Sequence, residues 1–152
     1  MFSPLRRSDP EFFEFDWTAL LIPTRVPGKV YALNEIAKPA LATGFYLKCT
    51  TPGMAAHHPP IFPREADLTV GDGSLVWTMV EPGGAGLPTI SGTPTYDISP
   101  AGIAQSDLST VGLVTRVKLD AVAAGLGEYE ILAEIVSSGE DYSMRTTLEV
   151  VD

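Results

Sequence analysis

Apolar and polar side chains alternate along much of this chain, and the two-residue period predicts strands. The first clear run is Phe12 to Ile22, FFEFDWTALLI. Phe13, Phe15, Trp17, Ala19 and Leu21 fall on one face and Glu14, Asp16 and Thr18 on the other, the pattern of a half-buried strand. Pro23 and Pro27-Gly28 end it. Lys29-Val30-Tyr31-Ala32-Leu33 opens a separate region whose next strand is expected at Gly44 to Thr51. The following segment carries Pro52, Pro59, Pro60 and Pro63, which donate nothing to a ladder, so it is expected as a surface connection. Asp72-Gly73 signals a tight turn before Ser74 to Val80, where Leu75, Trp77 and Met79 alternate with Ser74, Val76 and Thr78. Helix signals are confined to short stretches near Tyr31–Ala37 and Leu119–Ala124.

Glu81-Pro82-Gly83-Gly84-Ala85-Gly86 reads as a linker. Beyond it, one or two strands are expected between Pro88 and Ile98, and Val117 and Leu119 alternate with Arg116 and Lys118 within Val111 to Leu119. A hairpin closes the sequence. Gly125 to Val136 sets Tyr129, Ile131, Ala133 and Ile135 against Glu128, Glu130 and Glu134, and Ser137-Ser138-Gly139-Glu140-Asp141 turns into Ser143 to Val151. These two strands resemble the last hairpin of an immunoglobulin-like β-sandwich, with Tyr129 where a tyrosine corner often stands. Residues 87–152 supply too few strands for such a sandwich alone. The expected architecture is therefore all-β and discontinuous: an immunoglobulin-like sandwich of residues 1–27 plus 83–152, with an N-terminal arm 1–11, interrupted by a small inserted β module at 28–82.

Composition narrows the classes of function. The chain has 152 residues, 45% of them apolar, with fourteen glycines and thirteen prolines, enough for a turn-rich folded domain or two small ones. No apolar run reaches the roughly 18–20 residues that cross a bilayer, and the N-terminus lacks a secretory pattern, so a soluble protein made in the cytosol is expected. The formal net charge of −9 argues against nucleic acid and anionic membranes as partners. Acidity is concentrated late: residues 87–152 hold three basic and ten acidic side chains, against seven and nine before them.

Few residues suggest chemistry. His57-His58 is the sole histidine pair, and neighbours on an extended chain point to opposite sides, so no metal is expected there. Cys49, the single cysteine, has no partner for a disulfide and no nearby base, and is expected as a buried, inert thiol. Glu128/Glu130 and Glu140/Asp141 are read as solvated carboxylates. No catalytic or phosphate-binding motif is present, so neither an enzyme nor a cofactor is expected. Trp17 and Trp77 sit at inward positions and are expected as core anchors. Phe2, Phe12 and Phe62 fit their local patterns poorly and, with Leu5, Arg6 and Arg7 of the arm and His57 and His58 of the proline-rich loop, are the candidate protein–protein contacts.

Asp9-Pro10-Glu11 followed by Phe15-Asp16-Trp17-Thr18-Ala19-Leu20-Leu21 resembles the opening of small bacteriophage virion proteins of the fibre–tail adaptor or neck family. The ending is similar too, through Glu128-Tyr129-Glu130-Ile131, Ser137-Ser138-Gly139-Glu140-Asp141 and Met144-Arg145-Thr146. Separately, Gly28-Lys29-Val30-Tyr31, Gly44 to Gly53, Pro60-Ile61-Phe62-Pro63 and Asp72-Gly73-Ser74-Leu75-Val76-Trp77-Thr78 resemble a small β module of phage tail, fibre and decoration proteins. The resemblance implies a non-enzymatic virion component, made in the bacterial host cytoplasm. Its implied partners are other virion proteins, of the portal, neck or tail ring, the fibres or the capsid, and further copies of itself. Capsid decoration is the nearest alternative. A carbohydrate-binding module using Tyr46, Phe62 or Trp77 is a more distant one.

Overall fold

A computed structural model of the chain describes residues 2–152; Met1, part of the expected arm, lies outside the described residues. In chain order the elements are β1 (Leu5–Arg6), β2 (Glu11–Asp16), α1 (Thr18–Leu21), β3 (Val30–Tyr31), β4 (Ile36–Ala37), β5 (Tyr46–Thr51), β6 (Gly53–Met54), β7 (Thr69–Asp72), β8 (Leu75–Val80), β9 (Ser91–Ser99), β10 (Ala104–Val111), β11 (Val114–Asp120), β12 (Gly127–Ser137) and β13 (Glu140–Val151). The protein is all-β, with its strands distributed over several sheets. Two compact units are present: a continuous one, Thr18–Pro88, and a split one formed by the residues up to Trp17 together with Thr89–Asp152.

The split unit contains two sheets, ordered β1-β13-β12-β9 and β10-β11-β2. Alternation places Ile131, Ala133 and Ile135 of β12 and Leu148 and Val150 of β13 in the interior, with Phe13 and Phe15 of β2 and Val117 and Leu119 of β11. The two sheets meet where the rings of Phe15 and Tyr96 lie 5.2 Å apart. Ser137 pairs with Glu140 across a two-residue turn, and Ser138 (φ 52°) and Gly139 (φ 78°) both adopt the left-handed conformation that matches the strand twist. Pro94 lies within β9, at an irregularity in its pairing with β12 where no ladder bond is needed from it. Edge strand β10 is exposed at every position, and its pairing with β11 shifts register between Ser106 and Ser109, around Asp107 at φ 51°.

The N-terminal segment, read as an arm of candidate contact residues, forms a short strand within its own chain. Leu5 is fully buried and pairs with Val150, so β1 runs parallel to β13 and closes one edge of its own sheet. The strand expected to reach Ile22 stops at Asp16, where its pairing with β11 ends at Val114. The Trp17 amide still bonds to Leu113 O at 2.9 Å, and beyond it Thr18–Leu21 coils into one helical turn closed by Ile22 N to Thr18 O at 2.8 Å. Ala19 consequently faces water. Both expected helical stretches are overturned. Tyr31 ends β3, Ile36–Ala37 is β4 and the chain turns between them with Asn34 at φ 69°, while Leu119 and Asp120 finish β11.

The continuous unit holds a four-stranded sheet, β4-β5-β8-β7, and a two-stranded one, β3-β6. Its core is built from Tyr31, Ala37, Leu47, Cys49, Ala55, Leu75, Trp77 and Met79, with Phe45, Phe62 and Val70 packed against it. Gly73 turns β7 into β8 at φ 63°, and a Cβ there would collide with the Met54 carbonyl oxygen. Charge separates along the same division. The continuous unit has five basic and five acidic residues, whereas the split unit has five basic and fourteen acidic and so accounts for the whole net charge.

Candidate functional site

The most elaborate polar arrangement lies in the continuous unit around Asp72, whose side chain is fully buried at the β7–β8 turn. Arg25 binds it in a two-pronged fashion, Nε to Oδ2 at 2.6 Å and Nη2 to Oδ1 at 2.8 Å. Trp77 Nε1 donates to Oδ2 at 2.7 Å and the Ala56 amide to Oδ1 at 2.9 Å. Arg25 Nη2 also donates to the Ala56 carbonyl oxygen at 2.5 Å. Burial works to raise the Asp72 carboxyl, but the donors from Arg25, Trp77 and Ala56 outweigh it and hold the group below the ordinary carboxylate range. The Asp72 hydrogen bond in turn holds the Arg25 guanidinium charged, against its own desolvation.

Beside this network runs a groove of about 440 Å³. Its walls include Pro27, Pro39, Pro59, Pro60 and Phe62, and Leu41 and Ile61 stand 83% and 95% exposed at its margin. Arg25 and Arg64 also line it. A second groove of about 340 Å³ adjoins it across Pro39, Ala40 and Thr43 and adds Lys38, Phe45 and Tyr46. No carboxylate lines either groove. The prolines fix the backbone of the walls, so the larger groove is largely preformed. Its chemistry is that of apolar contact beside the Arg64 cation, with no carboxylate, imidazole or thiol in its lining.

No protein-family profile, curated protein or solved structure matches this chain.

The candidate contact residues separate by location. Phe2 packs edge-on against Phe13 and Phe15, with ring centroids 4.9 and 5.1 Å apart, and its amide bonds to Thr147 O at 3.2 Å. Leu5 is core, and Arg7 reaches Asp152 at 3.4 Å. These three are engaged within their own chain. Arg6 is exposed. Phe12 is exposed on the outer face of β2, with the Arg116 guanidinium 3.8 Å over its ring. His57 and His58 are exposed, their rings 6.2 Å apart, and among the described residues no three His, Cys, Asp or Glu side chains gather in a metal-holding group. Phe62 alone of the set lies in the groove. Cys49 is buried, and its thiol is pushed up by desolvation, with Glu35 acting in the same direction. Trp77 is fully buried and committed to Asp72, so it is not a platform for sugar rings. Tyr46 is partly exposed in the smaller groove.

Arg25, Leu41 and Ile61 are the site residues that pattern reading missed. Arg25 meets Asp72 across 47 positions of chain, a separation with no local signal. Ile61 stands in Pro-Pro-Ile-Phe-Pro, where the run of prolines was legible as a surface connection but not as a wall.

Proposed function

We propose that the protein is a non-enzymatic structural component of a tailed-phage virion, an adaptor joining the tail or neck to fibres or neighbouring subunits. We read its split unit as an immunoglobulin-like sandwich that carries the continuous unit as an insertion. The observation that carries this reading is how the phage-type signature residues are spent. Asp72, Gly73 and Trp77 hold one unit closed, and Trp17 donates to buried Thr115 Oγ1 at 2.9 Å in the other. Such residues build a scaffold that presents surfaces.

Strand order supports the immunoglobulin-like part. Taking β2, β11 and β10 as strands B, E and D, and β9, β12 and β13 as C, F and G, gives the neighbours that fold requires. Tyr129 donates its hydroxyl to Gly125 O at 3.0 Å, four residues upstream, as a tyrosine corner does. The departure is β1, which lies beside β13 and not beside β2. On this reading Thr18–Pro88 occupies the B–C connection.

Immunogold electron microscopy of the phage particles, with antibody raised against the purified protein, tests the proposal. Gold at the neck or tail supports the adaptor. Gold spread over the head would replace it with capsid decoration, and unlabelled particles would overturn a virion role.

A further inference from the structure

We infer that the proline-walled groove of the continuous unit is a self-association site, and that it receives the loop between β11 and β12 of a second copy of this chain. The inference deepens the structural-component reading by naming a partner and a surface for it.

The groove demands an occupant with apolar side chains and negative charge. Leu41 and Ile61 are the most exposed large apolar side chains of the described residues, and both stand at its margin. Arg25 and Arg64 line it without a carboxylate, and Lys38 lines the adjoining groove. The charge of Arg25 is met by Asp72, so Arg64, with Lys38 beside it, supplies the groove's further positive charge. The unit that holds this concavity carries no net charge although the chain carries −9, so the cations at the groove can pair locally with acidic side chains of a partner.

The loop from Ala121 to Leu126 has the matching chemistry. Val122 and Leu126 project from it, 66% and 57% exposed, and Asp120 and Glu128 frame it. Glu149 stands directly opposite Glu128 and adds to the negative potential. The loop is also rigid. Ala121 and Ala124 are buried, Ala124 N bonds to Ala121 O at 2.8 Å, Asp120 accepts from Val122 N at 2.9 Å, and Tyr129 ties Gly125 at 3.0 Å. A preformed projection entering a preformed groove loses little conformational freedom on binding. Because groove and loop are different surfaces of one chain, each copy offers both halves of the contact, the requirement for head-to-tail or reciprocal assembly.

Sedimentation velocity over about 10 μM to 1 mM protein reads the association, with circular dichroism confirming the fold of each variant. The wild type is expected to associate over this range. Ile61→Asp in the groove and Val122→Asp in the loop are each expected to weaken self-association about tenfold or more. The decisive sample is the mixture of the two variants, since each retains the half that the other lacks. It is expected to form a one-to-one pair that neither forms alone. A wild type that stays monomeric, a variant that associates as the wild type does, or a mixture that stays monomeric overturns the inference. None of these results touches the immunogold outcome, so the groove contact and the virion role fail separately.

Discussion

Trp77 and Arg25 place their donors on the same oxygen: Trp77 Nε1 lies 2.7 Å and Arg25 Nε 2.6 Å from Oδ2 of Asp72. One buried carboxylate thereby fixes the indole at the centre of the core, the guanidinium at the groove and the turn that begins β8. Ion pairs of this kind are costly to break from one side, because the survivor remains buried without a partner. Asp72→Asn is expected to destabilise the continuous unit by about 3–5 kcal/mol, and Arg25→Met by a similar amount. Following the Trp77 indole resonance through a urea titration measures both. The double variant should lose less than the two single losses combined, and strict additivity would contradict the coupling.

Acid should act through the same group. The carboxyl of Asp72 is held below its ordinary value of 3.8, so the folded unit keeps it ionised where an unfolded chain would take up a proton. Its contribution is complete above that ordinary value and is lost as pH falls through the depressed one. Urea midpoints measured between about pH 7 and pH 2 should therefore drop at the acid end. Asp72→Asn should flatten that drop. Glu35, lowered by its bond to Lys29, acts in the same direction, but this exposed pair at 2.7 Å contributes little.

Two left-handed glycines should respond differently to a methyl group. Gly73 at φ 63° leaves no space beside the Met54 carbonyl, whereas Gly28 at φ 72° has open space around it. Gly28→Ala is expected to cost about 1–2 kcal/mol from backbone conformation alone. Gly73→Ala should cost more, because the β7–β8 turn must shift away from β6. Equal losses in thermal or urea unfolding would show that the close approach carries no cost.

Both tryptophans are fully buried, as is Cys49. Acrylamide should quench the native emission weakly and the urea-unfolded emission strongly, and an aromatic thiol reagent should label Cys49 only at the rate of unfolding. Rapid labelling of the native protein would show that the core around Tyr31 and Trp77 opens readily.

Strands stood out in the sequence wherever one face is buried. β8 and β12 alternate because each has a core on one side, and Ser138-Gly139 was legible as a turn because few residues accept two successive positive φ angles. β10 was invisible for the opposite reason. All its side chains face water, and only its ladder to β11 makes it a strand. In Thr18–Leu21 the alternation continued by coincidence after the partner strand had ended. At the groove, the prolines and Phe62 could be seen, but the concavity depends on Arg25 meeting a carboxylate far along the chain.

The register shift in β10 bears on aggregation. An eight-residue strand at a sheet edge is an open template on which a foreign strand can zip, the first step toward fibres. Here the ladder is regular for only three residues on either side of the bulge, Ala104–Ser106 and Ser109–Val111. The left-handed backbone of Asp107 throws the two halves out of line, and its carboxylate guards the break. An incoming strand would have to carry a matching bulge to pair along the full edge, which makes a single aspartate a safeguard against runaway polymerisation.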